Sequence, residues 1–162
     1  MLRLTKRVEY GLMALVDLCA ASRPLSARDL AGRHELSYPL LANVLKDLAG
    51  AGMVASVRGK NGGYRLAKGP AFVNVGDIMA ALEGPFQLAD CTGEEHTDGC
   101  DISGCCNVKW TVRRIHDRIS DLLSKITLSD VSAAGNVGAA AAFGPPGAAG
   151  EELNKNPLNL EV

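Results

Sequence analysis

The chain reads as a mainly α-helical fold with a small β-hairpin wing: a winged helix-turn-helix domain followed by a long C-terminal dimerisation helix. Three observations predict it. Helical apolar stripes fill residues 5–49, the period then switches to strand-like alternation around a glycine cluster, and a narrow coiled-coil stripe begins at Val108.

From Thr5 to about Ala21, Val8, Leu12, Leu15, Val16 and Cys19 recur at helical spacing, with Thr5 as N-cap and Cys19 on the buried face. Ser26 caps a second helix whose apolar face is Ala27, Leu30 and Ala31, and a short turn around "HELS" ends it. Ser37 caps a third helix to about Ala49, with Leu40, Leu41, Val44, Leu45 and Leu48 toward the core and Pro39 harmless in the first turn. After "GAG", the run "MVASVR" alternates, "GKNGG" turns, and "YRLA" resumes extended character, which makes a hairpin. "NVGDIMAALEG" is a short helix capped by Asn74, and residues 84–107 have no period. Val108, Val112, Ile115, Ile119, Leu122 and Ile126 are then spaced 4, 3, 4, 3 and 4, a seam suited to a partner helix, of which a second copy is the simplest. The Ala/Gly/Pro-rich remainder has no periodicity and is expected to be a disordered tail. The expected domains are therefore 1–83 for DNA binding, 84–107 as a cysteine-rich loop, 108–131 as the dimerisation helix and its end, and 132–162 as tail.

Charge divides the chain. Residues 1–70 hold 11 Lys and Arg against 5 Asp and Glu, whereas the remainder holds 6 against 13. A basic first part suits a polyanion, nucleic acid above all. The first helix carries Glu9 and Asp17 and lacks the continuous apolar core of a secretory signal, and no stretch reaches the roughly 18 apolar residues of a membrane span. A cytoplasmic protein with no membrane partner is expected, and in that reducing compartment clustered cysteines bind metal or sense redox change. No Walker loop, GxGxxG or nucleophile with its base accompanies them, so the chain is not expected to be an enzyme.

Four of the five cysteines lie between residues 91 and 106. Cys91, Cys100 and Cys106 are separated by eight and five residues, and taking Cys105 as the last ligand shortens the second gap to four. Thiolates on a Gly-rich loop can converge on one soft metal centre, and the spacing matches neither a CxxC pair nor a ferredoxin run. An iron-sulfur cluster and a non-standard zinc site both remain open. A fourth ligand is wanting, with Cys105, His96, His116 or a group outside the loop as candidates.

"MLRLTKRVEYGLMALVDLCA", "LAGRHELSYPLLANVLKDLAGAGMVASVRGKNGGYRLAK", "VNVGDIMAALEG" and the spaced cysteines before "ITLSDV" resemble the bacterial winged-helix regulators typified by IscR and NsrR, from Met1 to about Val131. The most specific part is "VRGKNGGYRL" combined with the cysteine triplet. The resemblance implies a homodimeric transcriptional regulator, a repressor or redox sensor, that binds palindromic double-stranded operator DNA. It also implies an iron-sulfur cluster, 4Fe-4S or 2Fe-2S, that controls operator affinity in response to redox state, nitric oxide or iron-sulfur status. The implied ligands are Cys91, Cys100 and Cys106, although the first gap is longer than in near family members. Lys109 stands where IscR-like proteins keep a ligand histidine. The fourth ligand ranks as Glu9 supplied by the other subunit, then Cys105, then His34. The helix-turn-helix and wing place DNA contacts at Ser37, Tyr38 and Asn43 and at Arg58, Lys60, Asn61, Gly62 and Gly63. The alternative is a regulator of the same fold that senses through thiol oxidation or zinc, without a cluster.

Overall fold

The computed structural model describes residues 3–59, 61–93 and 105–136. Helix α1 spans Lys6–Ala20 and starts at Thr5, whose hydroxyl accepts the Val8 N–H at 3.3 Å. Its innermost residues are Val8, Gly11, Ala14, Leu15 and Leu18. Leu12, Val16 and Cys19, placed by periodicity on the buried stripe, are half-buried flanks of it. The small residues sit centrally because two other helices pass close by: a Cβ at Gly11 would stand 2.7 Å from Leu82 Cδ1 and 3.5 Å from Val44 Cγ1. Partial burial also pushes the Cys19 thiol pKa up.

Helix α2, Ala27–Arg33, opens with a capping box in which the Asp29 N–H donates to Ser26 Oγ and the Ser26 N–H to the Asp29 carboxylate. The Ser26 hydroxyl and then the Ser26 N–H beside it hold the Asp29 carboxyl below its ordinary pKa. The helix ends at His34, after which Glu35 takes φ 53° and the Leu36 N–H reaches Ala31 O at 2.9 Å. That Schellman closure turns the chain sharply into helix α3, Tyr38–Gly50. Ser37 occupies the N-cap position, but its side chain makes no cap bond, contrary to the sequence reading. Leu41, Val44, Leu45 and Leu48 are buried on one face of α3.

Strands β1 (Val54–Val57) and β2 (Gly63–Leu66) form the antiparallel hairpin, with Val54 opposite Leu66 and Val57 opposite Gly63. The free edge of β2 also exchanges two backbone bonds with Leu25, at 3.0 and 2.8 Å, so the wing is tied to the residue just before the α2 cap. This approach dictates glycine at position 63, where a Cβ would lie 2.4 Å from Leu25 O.

A short 3-10 turn, Pro70–Phe72, leads to helix α4, Val75–Glu83, whose N-cap Asn74 accepts the Asp77 N–H at 2.7 Å. Val75, Ile78 and Leu82 enter the core, where α1, α3 and α4 pack on one another. A second 3-10 turn, Asp90–Thr92, packs against helix α5, Lys109–Lys125.

The helix ends where its apolar stripe ends, with Ile126 as C-cap, and a separate helix α6 follows at Leu128–Asn136, into the segment that composition alone reads as tail. Long-range backbone bonds cause the break. The Val75 N–H donates to Ile126 O at 2.9 Å and the Leu128 N–H to Val73 O at 2.7 Å, so residues 126–128 pair with 73–75 as a short extended bridge. Thr127 and Asp130 then cap α6 reciprocally, and these bonds lower the Asp130 carboxyl pKa. Leu128 is fully buried, and α6 packs on α1 and the Pro70–Phe72 turn. The remaining tail, 137–162, lies outside the described residues. Among the described residues no helix is long and apolar enough to cross a membrane.

Leu128→Ala is expected to cost about 3 kcal/mol of unfolding free energy, as full truncation of a buried leucine does. Urea unfolding measures it, and a loss below about 0.5 kcal/mol would contradict α6 as part of the core.

Candidate nucleic-acid interface and cysteine site

The α2–turn–α3 unit presents one face of α3 outward. Pro39, Asn43, Lys46 and Gly50 are all exposed and spaced 4, 3 and 4, a single stripe on the side opposite Leu41, Val44, Leu45 and Leu48. Tyr38 is 49% exposed at the start of the helix and Ser37 is exposed just before it. Leu40, read as core, is half-buried at the border between the two faces. Beside this surface stands the wing, with Arg58 and Asn61 exposed at its tip and Arg65 on β2. Lys60 lies outside the described residues.

Gly62 and Gly63 shape the wing. The Gly62 N–H closes the turn on Gly59 O at 2.9 Å, and a Cβ on Gly62 would meet Val57 O at 2.3 Å. Two cations were missed by the sequence reading: Lys46, three residues beyond Asn43, and Arg28 in the first turn of α2. Both are exposed on the side away from the leucines, so the helical period that identified the core could also have found them.

The cysteine region is built on Thr92. Its hydroxyl accepts the Leu88 and Ala89 N–H groups, both at 3.1 Å, and donates to Ala89 O at 2.6 Å. Thr92 is buried, and this local knot fixes the turn that carries half-buried Cys91. Cys106 is also half-buried and Cys105 is exposed, both a few residues before α5, against which the Cys91 turn packs. Cys91 and Cys106 are free thiols, whereas Cys100 and His96 lie outside the described residues. Cys91 thus sits on a turn packed against α5 and Cys106 three residues before that helix begins, two soft donors of the kind a thiolate-held centre uses.

The other ligand candidates lie elsewhere. Glu9, in the first turn of α1, is half-buried and paired with Lys6. His34 Nε2 sits 3.1 Å from Asp17 Oδ2 on α1, and Arg33 Nη1 lies 3.6 Å from the same oxygen, so the imidazole is engaged in holding the end of α2. His116 stacks flat on Phe86, with ring centroids 5.3 Å apart, and its Nδ1 is buried without a hydrogen-bond partner among the described residues. Among the described residues of this single chain, no three His, Cys, Asp or Glu side chains converge as a ligand set.

On α5, Val108, Ile115 and Leu122 of the predicted seam are about half exposed, at 52%, 47% and 58%. Val112 and Ile119 are half-buried, and no residue of α5 is fully buried. Trp110 is 72% exposed, with the Arg113 guanidinium 5.8 Å from its ring centroid.

The sequence profile of the Rrf2 family, described as an iron-dependent transcriptional regulator, matches residues 4–134. The chain is 30% identical over 132 residues to the transcriptional regulator NsrR of Bacillus licheniformis, covering 80% of this chain and 92% of that one. It is 33% identical over 132 residues to IscR of Pectobacterium carotovorum, covering 80% and 79% respectively. Among solved structures it is similar to CymR, the global cysteine regulator of B. subtilis, with a TM-score of 0.66, 29% identity, and 82% of this chain and 98% of that one covered. It is also similar to T. potens IscR, with a TM-score of 0.65 and 31% identity over 83% of this chain and 88% of that one. These relatives are transcriptional regulators rather than enzymes, and both the helix-turn-helix with its wing and the matched span place the chain among them: it belongs to the Rrf2 family of DNA-binding transcriptional regulators.

Proposed function

We propose that the chain is a homodimeric repressor whose affinity for palindromic operator DNA is set by an iron-sulfur cluster. The observation that carries this reading is the pair of half-buried free thiols, Cys91 and Cys106, on segments joined at α5, in a family described as iron-dependent. Cys100, between them in sequence, completes the thiolate triplet, and Glu9 of the other subunit supplies the fourth ligand. Cys105 ranks below Glu9, and His34 lower still, because Asp17 already holds its Nε2.

When bound, the cluster supplies a centre that oxidants or nitric oxide can alter. The chain's own residues do the rest. Thr92 orients the Cys91 turn, and the exposed seam of α5 pairs with its copy, which brings Glu9 of one protomer toward the thiolates of the other. Ser37, Tyr38, Asn43 and Lys46 enter the major groove, while Arg58, Lys60 and Asn61 meet the flanking backbone or minor groove, with Gly62 and Gly63 keeping the wing in shape. In this reading residues 1–83 bind DNA, 84–107 hold the cluster and 108–125 join the protomers.

A second reading, sensing through the thiols themselves, is supported by the likeness to CymR, for which an oxidized form of the Staphylococcus aureus protein is among the similar structures, at 26% identity and a TM-score of 0.59. One preparation separates the two. Anaerobically purified protein should be coloured and contain iron and sulfide, Cys91→Ala should be colourless, and Glu9→Ala should keep colour with a shifted spectrum or lose it faster in air. Colourless wild-type protein that binds zinc or switches by disulfide formation would overturn the cluster. A Glu9→Ala spectrum identical to the wild type would remove Glu9 from the ligand set.

DNA binding is read on a duplex selected by the wild-type protein from randomised DNA. Arg58→Ala should weaken it and reduce the slope of log affinity against log salt by about 1, the value of one lost phosphate contact. Ile115→Asp should sediment as a monomer and lose the preference for a two-fold symmetric site. A dimeric Ile115→Asp protein, or an Arg58→Ala slope equal to the wild type, would contradict these assignments.

A further inference from the structure

Arg7 reaches two helices at once. Its Nη2 donates to Asp47 Oδ2 on α3 at 2.7 Å, and its Nε lies 3.2 Å from Glu83 Oε1 on α4. The second contact is an ion pair without a directed hydrogen bond, since that Nε has no hydrogen-bond partner. The Thr5 hydroxyl donates to the same Glu83 oxygen at 2.9 Å, so the start of α1 is fastened there twice. Among the described residues, Arg7–Asp47 is the one side-chain hydrogen bond that joins α3 to another element. Asp47 follows Lys46 and stands one helical turn beyond Asn43, beside the exposed stripe of the proposed recognition helix.

Its value is geometric. The three side chains are each about a third exposed, where ion pairs add little stability. A charged, directed hydrogen bond, however, fixes orientation as well as distance, which an apolar contact between α1 and α3 does less sharply. Arg7 and Glu9 are two residues apart, a rotation of about 200° around the helix. One side of α1 therefore grips α3 and α4, and the side nearly opposite carries Glu9, whose partner here is Lys6.

We propose that Arg7 is the positioning residue that couples the cluster to DNA recognition. With Glu9 serving as a ligand, its carboxylate would no longer pair with Lys6, and the Arg7–Asp47 bond would carry the changed setting of the first turn of α1 to the azimuth of α3. Loss of the ligand bond lets α1 relax and α3 with it. The inference rests on the cluster reading above and names the part of the chain through which the cluster acts.

The test compares cluster-bound and cluster-free protein on the selected duplex, for wild type, Arg7→Gln and Asp47→Ala, with visible spectra and far-UV circular dichroism of each. The ratio of the two affinities is the readout, because a uniform change in attraction to DNA cancels from it. The wild-type ratio should be about tenfold or more, within the usual range of allosteric coupling. Both variants should keep the wild-type spectrum while the ratio falls below about threefold. A coloured, folded variant that retains the wild-type ratio would overturn the proposal. If Arg7→Gln fails to fold, Asp47→Ala removes the same bond while leaving Arg7 its pairing with Glu83. Colourless wild-type protein overturns the cluster reading and this coupling with it, a result distinct from a coloured protein whose variants still switch.

Discussion

The approach of α1 to α3 and α4 is close at position 11, where an added Cβ would require the Leu82 side chain to shift. A Cβ there would meet side chains of both helices, and the neighbouring core residues Val8, Ala14, Leu15 and Leu18 are all essentially buried. Burial of this kind is the main source of stability in a domain of this size. It also sets α1 directly against α3, the helix that presents the exposed stripe of Asn43 and Lys46. The wing is subject to a similar constraint at Gly63, where backbone meets backbone at Leu25. Thus α2 is held by the wing before its first residue and by the Asp17 contacts to Arg33 and His34 at its last.

Much of this architecture was legible in the sequence because it is local. Thr5, Ser26 and Asn74 cap the helices they precede, and the change of period after Gly52 marks the hairpin. Helix α6 was not, because its place is set by backbone bonds to residues about 50 positions earlier, between 126–128 and 73–75. One local clue existed in Thr127 and Asp130, a capping pair that directly follows the apolar stripe. On α1, periodicity chose the larger apolar residues, whereas crowding put Gly11 and Ala14 at the centre.

The functional surface divides in the same way. The cysteines and the wing glycines announced themselves by composition, and the seam of α5 by its spacing, with Val108, Ile115 and Leu122 left uncovered in the single chain. Partnerships between distant residues carried no such mark. Nothing in the sequence joins Arg7 to Asp47, 40 residues on, or reserves His34 for Asp17. These pairings decide which charged groups are available. His34 is paired with Asp17, Glu9 pairs among the described residues with a neighbouring lysine on its own helix, and Arg7 is committed to α3 and α4. An acidic side chain with such a weak tie can be surrendered to a metal at small cost.

The account makes α1 the shared element of cluster, core and recognition helix. Amide hydrogen exchange of the DNA-free dimer, with the cluster present and after its removal, addresses that claim most directly. Cluster loss should speed exchange in the first turns of α1 and along α3 together, by about tenfold or more, with little change at the β2 amide that bonds Leu25. Equal exchange in α1 and α3 for the two forms would contradict it.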